Sequence, residues 1–201
     1  MLPNEPYVLV LFYSRNGGTL AMAQQVALGI ERISGMEAKI RTVPSVSVSS
    51  EQTEPSIPDQ GAVFVTQDEL VNCSGLVLGS PTRFGNMAAP LKHFWDQTSA
   101  QWVNGDLVDK PAGVFTSSST LHGGQESTLL SMMIPLLHHG MIISGLPYTE
   151  PELHLEQRTG SPYGATFQAA QSNNNGLSDA EAKLCQKLGS RVAKLAVKIA
   201  S

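Results

Sequence analysis

Three short polar segments contain residue types that bind phosphate groups and flat rings. The first follows an apolar run at residues 7–13 and precedes a helical pattern; it consists of Ser14, Arg15, Asn16, Gly17, Gly18 and Thr19. At the start of a helix, such a segment offers backbone N–H groups, hydroxyls and a dipole that favours negative charge. It lacks the lysine of a P-loop and the glycine spacing of a dinucleotide fingerprint. It therefore favours a phosphate held mainly by neutral donors, and the alternative is an ordinary turn with an N-cap.

The second segment has the chemistry of a ring-binding loop. It follows the apolar run at residues 75–79 and consists of Pro81, Thr82, Arg83, Phe84, Gly85 and Asn86. Phe84 could lie against a flat heterocycle, whose carbonyls could accept hydrogen bonds from backbone N–H groups. The alternative is that Phe84 fills the core and that Arg83 is a solvated charge.

The third segment is rich in hydroxyls and glycine. It follows the apolar run at residues 112–116 and consists of Ser117, Ser118, Ser119, Thr120, Leu121, His122 and Gly123. Such a backbone can approach a ligand closely and donate several hydrogen bonds to it. The alternatives are a flexible linker and, for His122, a purely structural hydrogen bond.

The elements around these segments predict an α/β fold. Apolar runs at residues 7–13, 38–43, 75–79, 112–116 and 141–143 alternate with helical patterns at residues 20–33, 87–98, 126–138 and 185–199. Thr66 with Glu69, and Ser178 with Glu181, have the spacing of capping boxes at two helix starts. Continuously apolar strands are typical of a parallel sheet that is buried on both faces. We therefore predict a flavodoxin-like, doubly wound sheet of five parallel strands in the order 2-1-3-4-5, with helices on both faces.

The length of 201 residues suits one domain spanning residues 1–201. Two stretches, near residues 44–66 and 145–176, look like insertions, and the second is long enough to be a functional loop. In the predicted topology, the segments that follow strands 1, 3 and 4 meet at one edge of the sheet, where such folds bind ligands. One phosphate-binding segment next to two ring-binding segments predicts a site for flavin mononucleotide (FMN).

The composition argues against several other classes of protein. With 13 Lys and Arg against 17 Asp and Glu, the net charge is −4, and no basic stripe is available for a nucleic acid. No apolar run has the length of a membrane span, and residues 7–13 are too short for a signal peptide. Cys73 and Cys185 cannot form a disulfide framework. No spacing of Cys, His and carboxylate residues predicts a metal site. We expect a cytoplasmic protein.

The sequence resembles the WrbA family of flavodoxin-like NAD(P)H:quinone oxidoreductases nearly from end to end. The residues that carry the resemblance are 14–19, 79–87, 96–98, 122–126, 138–141 and 162–165. It implies that FMN phosphate is bound by residues 14–19 and that its ring contacts Thr82, Arg83, Phe84 and residues 117–123. It also implies a tetramer in which His139 approaches the flavin of a neighbouring subunit and Trp102 lines the pocket over the ring. Asn16 stands where many relatives carry a tyrosine that meets the nicotinamide nucleotide.

The mechanism implied by this resemblance is ping-pong. NADH or NADPH reduces the flavin and leaves, and a quinone then takes the two electrons at the same face. His139 could donate a hydrogen bond or a proton to the quinone oxygen; alternatively it complements the dipole at a helix end. Trp102 could instead be interface packing. The alternative function is a flavin-binding electron carrier, or a protein-interaction scaffold, with little NAD(P)H oxidation.

Overall fold

The computed structural model describes residues 5–47, 61–155, 160–169 and 176–200. In chain order the elements are β1 (Tyr7–Phe12), α1 (Gly18–Glu31), β2 (Glu37–Thr42), α2 (Gln67–Val71), β3 (Gly75–Pro81), α3 (Ala89–Asp96), α4 (Ser99–Asn104), β4 (Pro111–Ser118), α5 (Gln125–His138), β5 (Ile142–Ile143), a short 3-10 helix (Pro151–His154), β6 (Ala165–Gln168) and α6 (Asp179–Ala200). Among these elements, no helix is both long enough and apolar enough to cross a membrane.

The sheet confirms the predicted topology. Its strands are parallel and run in the order β2-β1-β3-β4-β5, with β6 also paired to β4. β1, β3 and β4 are buried along their whole length, as their continuous apolar sequences predict. One buried cluster of side chains lies on each side of the sheet, the first including Leu91 and Leu129 of α3 and α5, the second including Val26 and Leu188 of α1 and α6. The helices therefore cover both faces.

The five predicted strands are confirmed, and the structure adds a sixth, β6, that also pairs with β4. β5 has only two residues and pairs with the start of β4, whereas β6 pairs with the end of β4 from Phe115 to Ser118. The intervening chain divides what would otherwise be one edge strand. With only four residues, β6 is too short to produce a clear periodic pattern, and it lies inside the stretch predicted as an insertion at residues 145–176.

The helix predicted at residues 87–98 is confirmed as α3, which is slightly shorter, and a further helix, α4, that the sequence analysis did not predict follows it. α3 ends at Asp96, and α4 begins at Ser99 after a junction at Gln97 and Thr98. The Thr98 hydroxyl donates a hydrogen bond of 2.8 Å back to the carbonyl of Trp95. Such a side-chain bond competes with helix continuation.

The remaining local predictions have mixed outcomes. β3 and β4 extend beyond their predicted ends, because Ser80 and Pro81 pair with Thr116 and Ser117. The capping box between Thr66 and Glu69 at the start of α2 is confirmed.

Residues 48–60, most of the first predicted insertion, lie outside the described residues, as do residues 156–159 and 170–175 of the second.

The capping box at the start of α6 is confirmed as well. The Ser178 backbone donates to a Glu181 carboxylate oxygen over 2.8 Å, and the Glu181 backbone donates to the Ser178 hydroxyl over 3.3 Å. The other Glu181 oxygen accepts from the Gln168 backbone at the end of β6. The start of α6 is therefore tied to the divided edge strand.

Candidate functional site

A cavity of about 380 Å³ lies at the carboxyl ends of β1, β3 and β4; we call it the loop-end cavity. All three polar segments identified in the sequence contribute to it. It is lined by Ser14, Arg15, Asn16, Gly18, Thr19, Pro81, Thr82, Arg83, Ser117, Ser118, Ser119, Phe167 and Ala169. Phe167 and Ala169 are additions from β6 and its end, which the sequence analysis missed because it predicted no strand there.

The first segment forms the N-terminus of α1. Gly17 is the N-cap, with φ of +84°, and within the described residues no side chain caps the helix. Ser14 instead accepts a hydrogen bond of 3.2 Å from the Gly17 N–H. The first N–H groups of a helix lack partners inside the helix, so an anion can accept from them. Gly18 and Thr19, the first two helical residues, both line the cavity.

A pair of hydroxyl groups joins this helix to the sheet. Thr19 Oγ1 and Ser117 Oγ lie 2.8 Å apart and are buried. Gly18 packs so closely on β6 that an added Cβ would lie 2.8 Å from the Phe167 ring. The wall of the cavity is therefore fixed at the positions where the N-terminus of α1 meets β4 and β6.

The second segment turns back on itself. Arg83 and Asn86 form two backbone hydrogen bonds with each other, of 2.8 and 3.1 Å. Between them Phe84 and Gly85 have φ of +54° and +78°, a conformation that a bulky residue such as Phe84 rarely adopts. Phe84 is fully exposed, so the alternative that it fills the core is wrong. Its side chain does not line the loop-end cavity of its own chain, whereas Thr82 and Arg83 do.

The third segment is fixed by internal hydrogen bonds, not by packing. Ser118 Oγ donates to the Thr120 carbonyl over 2.7 Å and accepts from Gln125 Nε2 over 2.7 Å. The hydroxyl oxygens of Thr128 and Thr82 lie 2.7 Å apart, within hydrogen-bond distance, which links the second segment to the start of α5. The remaining predicted residues of the two segments stand around the cavity without lining it; these are Gly85, Asn86, Thr120, Leu121, His122 and Gly123.

A second cavity, of about 540 Å³, adjoins the first and shares Arg15 and Arg83 with it. Its lining also includes Tyr13, Met87 and Pro90. The neighbouring space is thus largely apolar, with two guanidinium groups at the boundary. A flat apolar molecule could lie there beside a ligand of the loop-end cavity.

His139 and Trp102 lie elsewhere, in a cavity of about 350 Å³ that we call the helix-face cavity. It is formed by α3, α4 and the end of α5, and it shares no lining residue with the loop-end cavity. Trp102 is 55% exposed, whereas His139 is only 8% exposed. The structure therefore brings these two predicted residues together, but it does not bring them to the three loops of the same chain.

His139 is held by close contacts on two sides. Its Nε2 lies 2.9 Å from Thr98 Oγ1, and the ring centroids of His139 and Trp95 are 5.4 Å apart. Its Nδ1 is buried and has no hydrogen-bond partner within the described part of the chain. Burial, with a smaller effect of the neighbouring His138, holds the pKa of His139 below its ordinary value of 6.5. The imidazole is therefore neutral at pH 7.

The two cysteines are buried and unreactive at neutral pH. Cys73 and Cys185 are both free and buried. Burial raises the pKa of the Cys73 thiol to about 11 and raises that of Cys185 further, so both thiols are protonated at pH 7. In the described ranges, no group of three His, Cys, Asp or Glu side chains could hold a metal ion.

The comparisons with known proteins agree with this geometry. The model of the NADPH-dependent FMN reductase family matches residues 8–149. The chain belongs to this family. A protein of Gluconacetobacter diazotrophicus named NAD(P)H dehydrogenase (quinone) is 43% identical to this FMN reductase family member over 197 residues, which cover 96% of this chain and 98% of the relative. A protein of Solidesulfovibrio magneticus with the same name is 46% identical over 167 residues, or 79% and 82% of the two chains.

Solved structures place this FMN reductase family member in the flavodoxin-like fold. A WrbA-like flavodoxin from Agrobacterium tumefaciens has a TM-score of 0.69 at 22% identity and covers 96% of this chain and 98% of its own. Oxidised flavodoxin 2 from Bacillus cereus has a TM-score of 0.58 at 16% identity, with 96% and 99% covered. The predicted fold and the predicted family resemblance are both confirmed.

Proposed function

We propose that the protein is an FMN-dependent oxidoreductase that transfers two electrons from NADH or NADPH to quinones. The observation that carries this proposal is the convergence of the α1 N-terminus with the ends of β3 and β4 in the loop-end cavity. Membership of the NADPH-dependent FMN reductase family supports it. The names of the two relatives, NAD(P)H dehydrogenase (quinone), support the choice of electron donor and acceptor.

The donors in the loop-end cavity fit the phosphate and the ring of FMN. Ser14, Thr19 and the uncapped start of α1 would hold the phosphate, with the positive charge of Arg15 beside them. Thr82, Arg83 and the segment from Ser117 to Ser119 would hold the ring. When bound, FMN supplies an acceptor for hydride and a donor of two electrons.

The chain's own residues orient the reactants and stabilise charge. The hydroxyls of Ser117, Ser118 and Ser119 and the positive charge of Arg83, all at the cavity lining, would stabilise negative charge that develops on the ring. The adjoining cavity, with Met87 and Pro90, leaves apolar space beside the ring for a flat reactant. Because the nicotinamide and the quinone would occupy the same space in turn, we propose a ping-pong order.

We propose that the active form is a homotetramer. The helix-face cavity lies in a surface that exposes Trp102 and Val103 of α4 together with Leu130, Ile134 and Leu137 of α5. An exposed apolar surface of this kind is typical of a protein interface. In the tetramer His139 would approach the loop-end cavity of a neighbouring copy, with Trp102 over the ring. Native mass spectrometry should give a tetramer for the wild type and smaller species for Ile134→Lys, and a wild-type monomer would overturn this part.

We place the reaction in the cytoplasm, in keeping with the two free, buried cysteines. Fractionation of the source cells should recover the protein with cytoplasmic markers. Recovery with secreted proteins would contradict this assignment.

The function is tested most simply in two anaerobic steps. The FMN-loaded protein is mixed first with NADPH or NADH and then with benzoquinone, while the absorbance of oxidised flavin is followed. We expect rapid bleaching in the first step and full recovery in the second. If neither nucleotide bleaches the bound flavin, the protein is an electron carrier or a binding scaffold and not a quinone reductase.

A further inference from the structure

The hydrogen bonds around Thr98 determine which nitrogen of His139 carries the hydrogen. The Thr98 hydroxyl has one hydrogen, and the Trp95 carbonyl, 2.8 Å away, can only accept. If the hydroxyl donated to His139 Nε2 instead, the imidazole hydrogen would lie on Nδ1, which is buried and has no acceptor within the described residues, and a buried donor without an acceptor is costly. The hydroxyl hydrogen is therefore donated to Trp95. At the second contact, 2.9 Å from His139 Nε2, the Thr98 oxygen must accept and the imidazole must donate.

We infer that Thr98 is a positioning residue that holds His139 as the neutral Nε2–H tautomer, with Nδ1 left as a hydrogen-bond acceptor. Both side chains are nine-tenths or more buried, and they belong to different elements 41 residues apart in the chain. The Trp95 ring packs against the imidazole and limits its rotation. Within the described residues Nδ1 has no partner of its own.

The inference changes the chemistry that His139 can offer. It rests on the proposed function to the extent that His139 faces the reactants. With its Nε2–H donated to Thr98 and its Nδ1 bare and buried, His139 has no N–H left to donate to the carbonyl oxygen of a quinone. His139 would therefore act by shaping the helix-face cavity, whereas the sequence analysis considered it a donor to the oxidised substrate.

The tautomer can be read directly by NMR in protein labelled with ¹⁵N at histidine, without FMN and without turnover. Long-range proton–nitrogen correlations distinguish protonated from bare ring nitrogens, and His139→Gln identifies the signals of His139. We expect Nε2 protonated and Nδ1 bare in the wild type at pH 7. Protonation of Nδ1 in the wild type would overturn the inference, whether or not a Thr98 variant folds.

Two matched substitutions separate positioning from simple packing. Thr98→Val keeps the shape of the side chain but removes the acceptor, and Thr98→Ser keeps the hydroxyl. In Thr98→Val we expect a mixture of tautomers at His139, quinone turnover lowered about threefold to tenfold, and unchanged FMN affinity. In Thr98→Ser we expect the single tautomer and the quinone turnover of the wild type. An unchanged tautomer and rate in Thr98→Val would contradict the inference. If the tautomer is as expected but neither the wild type nor the Thr98 variants reduce quinone, the proposed function is wrong and the positioning role of Thr98 stands.

Discussion

The loop-end cavity and the helix-face cavity differ in where their polar groups come from. The loop-end cavity is built by consecutive residues in three segments, each placed at the carboxyl end of a strand, and its donors are backbone N–H groups and short hydroxyls. The helix-face cavity depends on side chains from separate helices, above all Thr98 and His139. A ligand with several acceptors suits the first cavity. The second places the His139 imidazole beside Trp95, Trp102 and Ile134, and its lining also includes the charged side chains of Lys92 and Asp96.

This difference suggests that the two cavities have different functions. The loop-end cavity can hold an anionic cofactor without a large excess of positive charge, because helix N–H groups and hydroxyls can donate hydrogen bonds to the anion. The helix-face cavity has an exposed apolar rim, which can pack against another protein surface. Substitutions in the first cavity should therefore change FMN affinity, and those in the second should change turnover or assembly.

The largest effect is expected for Gly18→Ala. The added Cβ would lie 2.8 Å from the ring of Phe167, which itself lines the loop-end cavity. Either the start of α1 or the Phe167 ring must then shift at the cavity wall, and we expect FMN affinity to fall about 100-fold, which corresponds to roughly 2.7 kcal/mol. Titration of FMN by fluorescence quenching measures this. Ser99→Ala, at the rim of the helix-face cavity, is the control and should bind FMN as the wild type does.

A smaller loss is expected for Thr19→Val. The substitution preserves the shape of the side chain and removes a buried hydroxyl that lines the loop-end cavity and contacts Ser117 over 2.8 Å. A hydrogen bond to a charged group contributes roughly 1.5–3 kcal/mol, so we expect FMN affinity to fall at least about tenfold. Equal FMN affinity in Thr19→Val and the wild type would show that this hydroxyl does not contact the cofactor.

A substitution in the helix-face cavity should lower quinone turnover and leave FMN affinity unchanged. We expect His139→Ala to lower quinone turnover about fivefold, the size of one lost neutral hydrogen bond, without weakening FMN binding. Steady-state rates and FMN titrations on the same preparation test both halves of this prediction. If His139→Ala weakened FMN binding and left the turnover per bound FMN unchanged, the two cavities would not differ in function as we propose.

The smallest effect concerns stability as a function of pH. Because burial holds the pKa of His139 below 6.5 in the folded protein, the unfolded chain takes up the proton first as the pH falls. His139 therefore stabilises the fold fully above pH 6.5, and this contribution is lost as the pH falls through the lowered pKa. The difference in unfolding free energy between the wild type and His139→Gln should shrink between pH 7 and pH 5 in urea titrations. A constant difference would mean that the pKa of His139 is not lowered.

The loop-end cavity could be predicted from the sequence because its residues are local. Each polar segment follows an apolar strand directly, and the parallel topology then brings the ends of β1, β3 and β4 together. Phe167 and Ala169 could not be predicted in the same way. They reach the cavity only because the last edge strand is divided, and a strand of four residues has no distinctive pattern.

The helix-face cavity could be predicted only in part. The resemblance to the WrbA family predicted functional roles for His139 and Trp102, but not their surroundings. The contact of Thr98 with His139 joins residues far apart in the chain, and it depends on the break between α3 and α4, which the helical pattern did not reveal. Tertiary contacts between side chains on different helices leave no periodic signal in the sequence.

The most direct test of the account is a subunit-mixing experiment between Gly18→Ala and His139→Ala. The first variant lacks a working loop-end cavity, and the second lacks the imidazole of the helix-face cavity. If the two cavities of different copies form one site, mixed oligomers contain some sites with both parts intact. We predict that quinone turnover after subunit exchange, confirmed by native mass spectrometry, exceeds the sum of the separate activities. Turnover that remains equal to that sum at every mixing ratio would contradict a site shared between subunits.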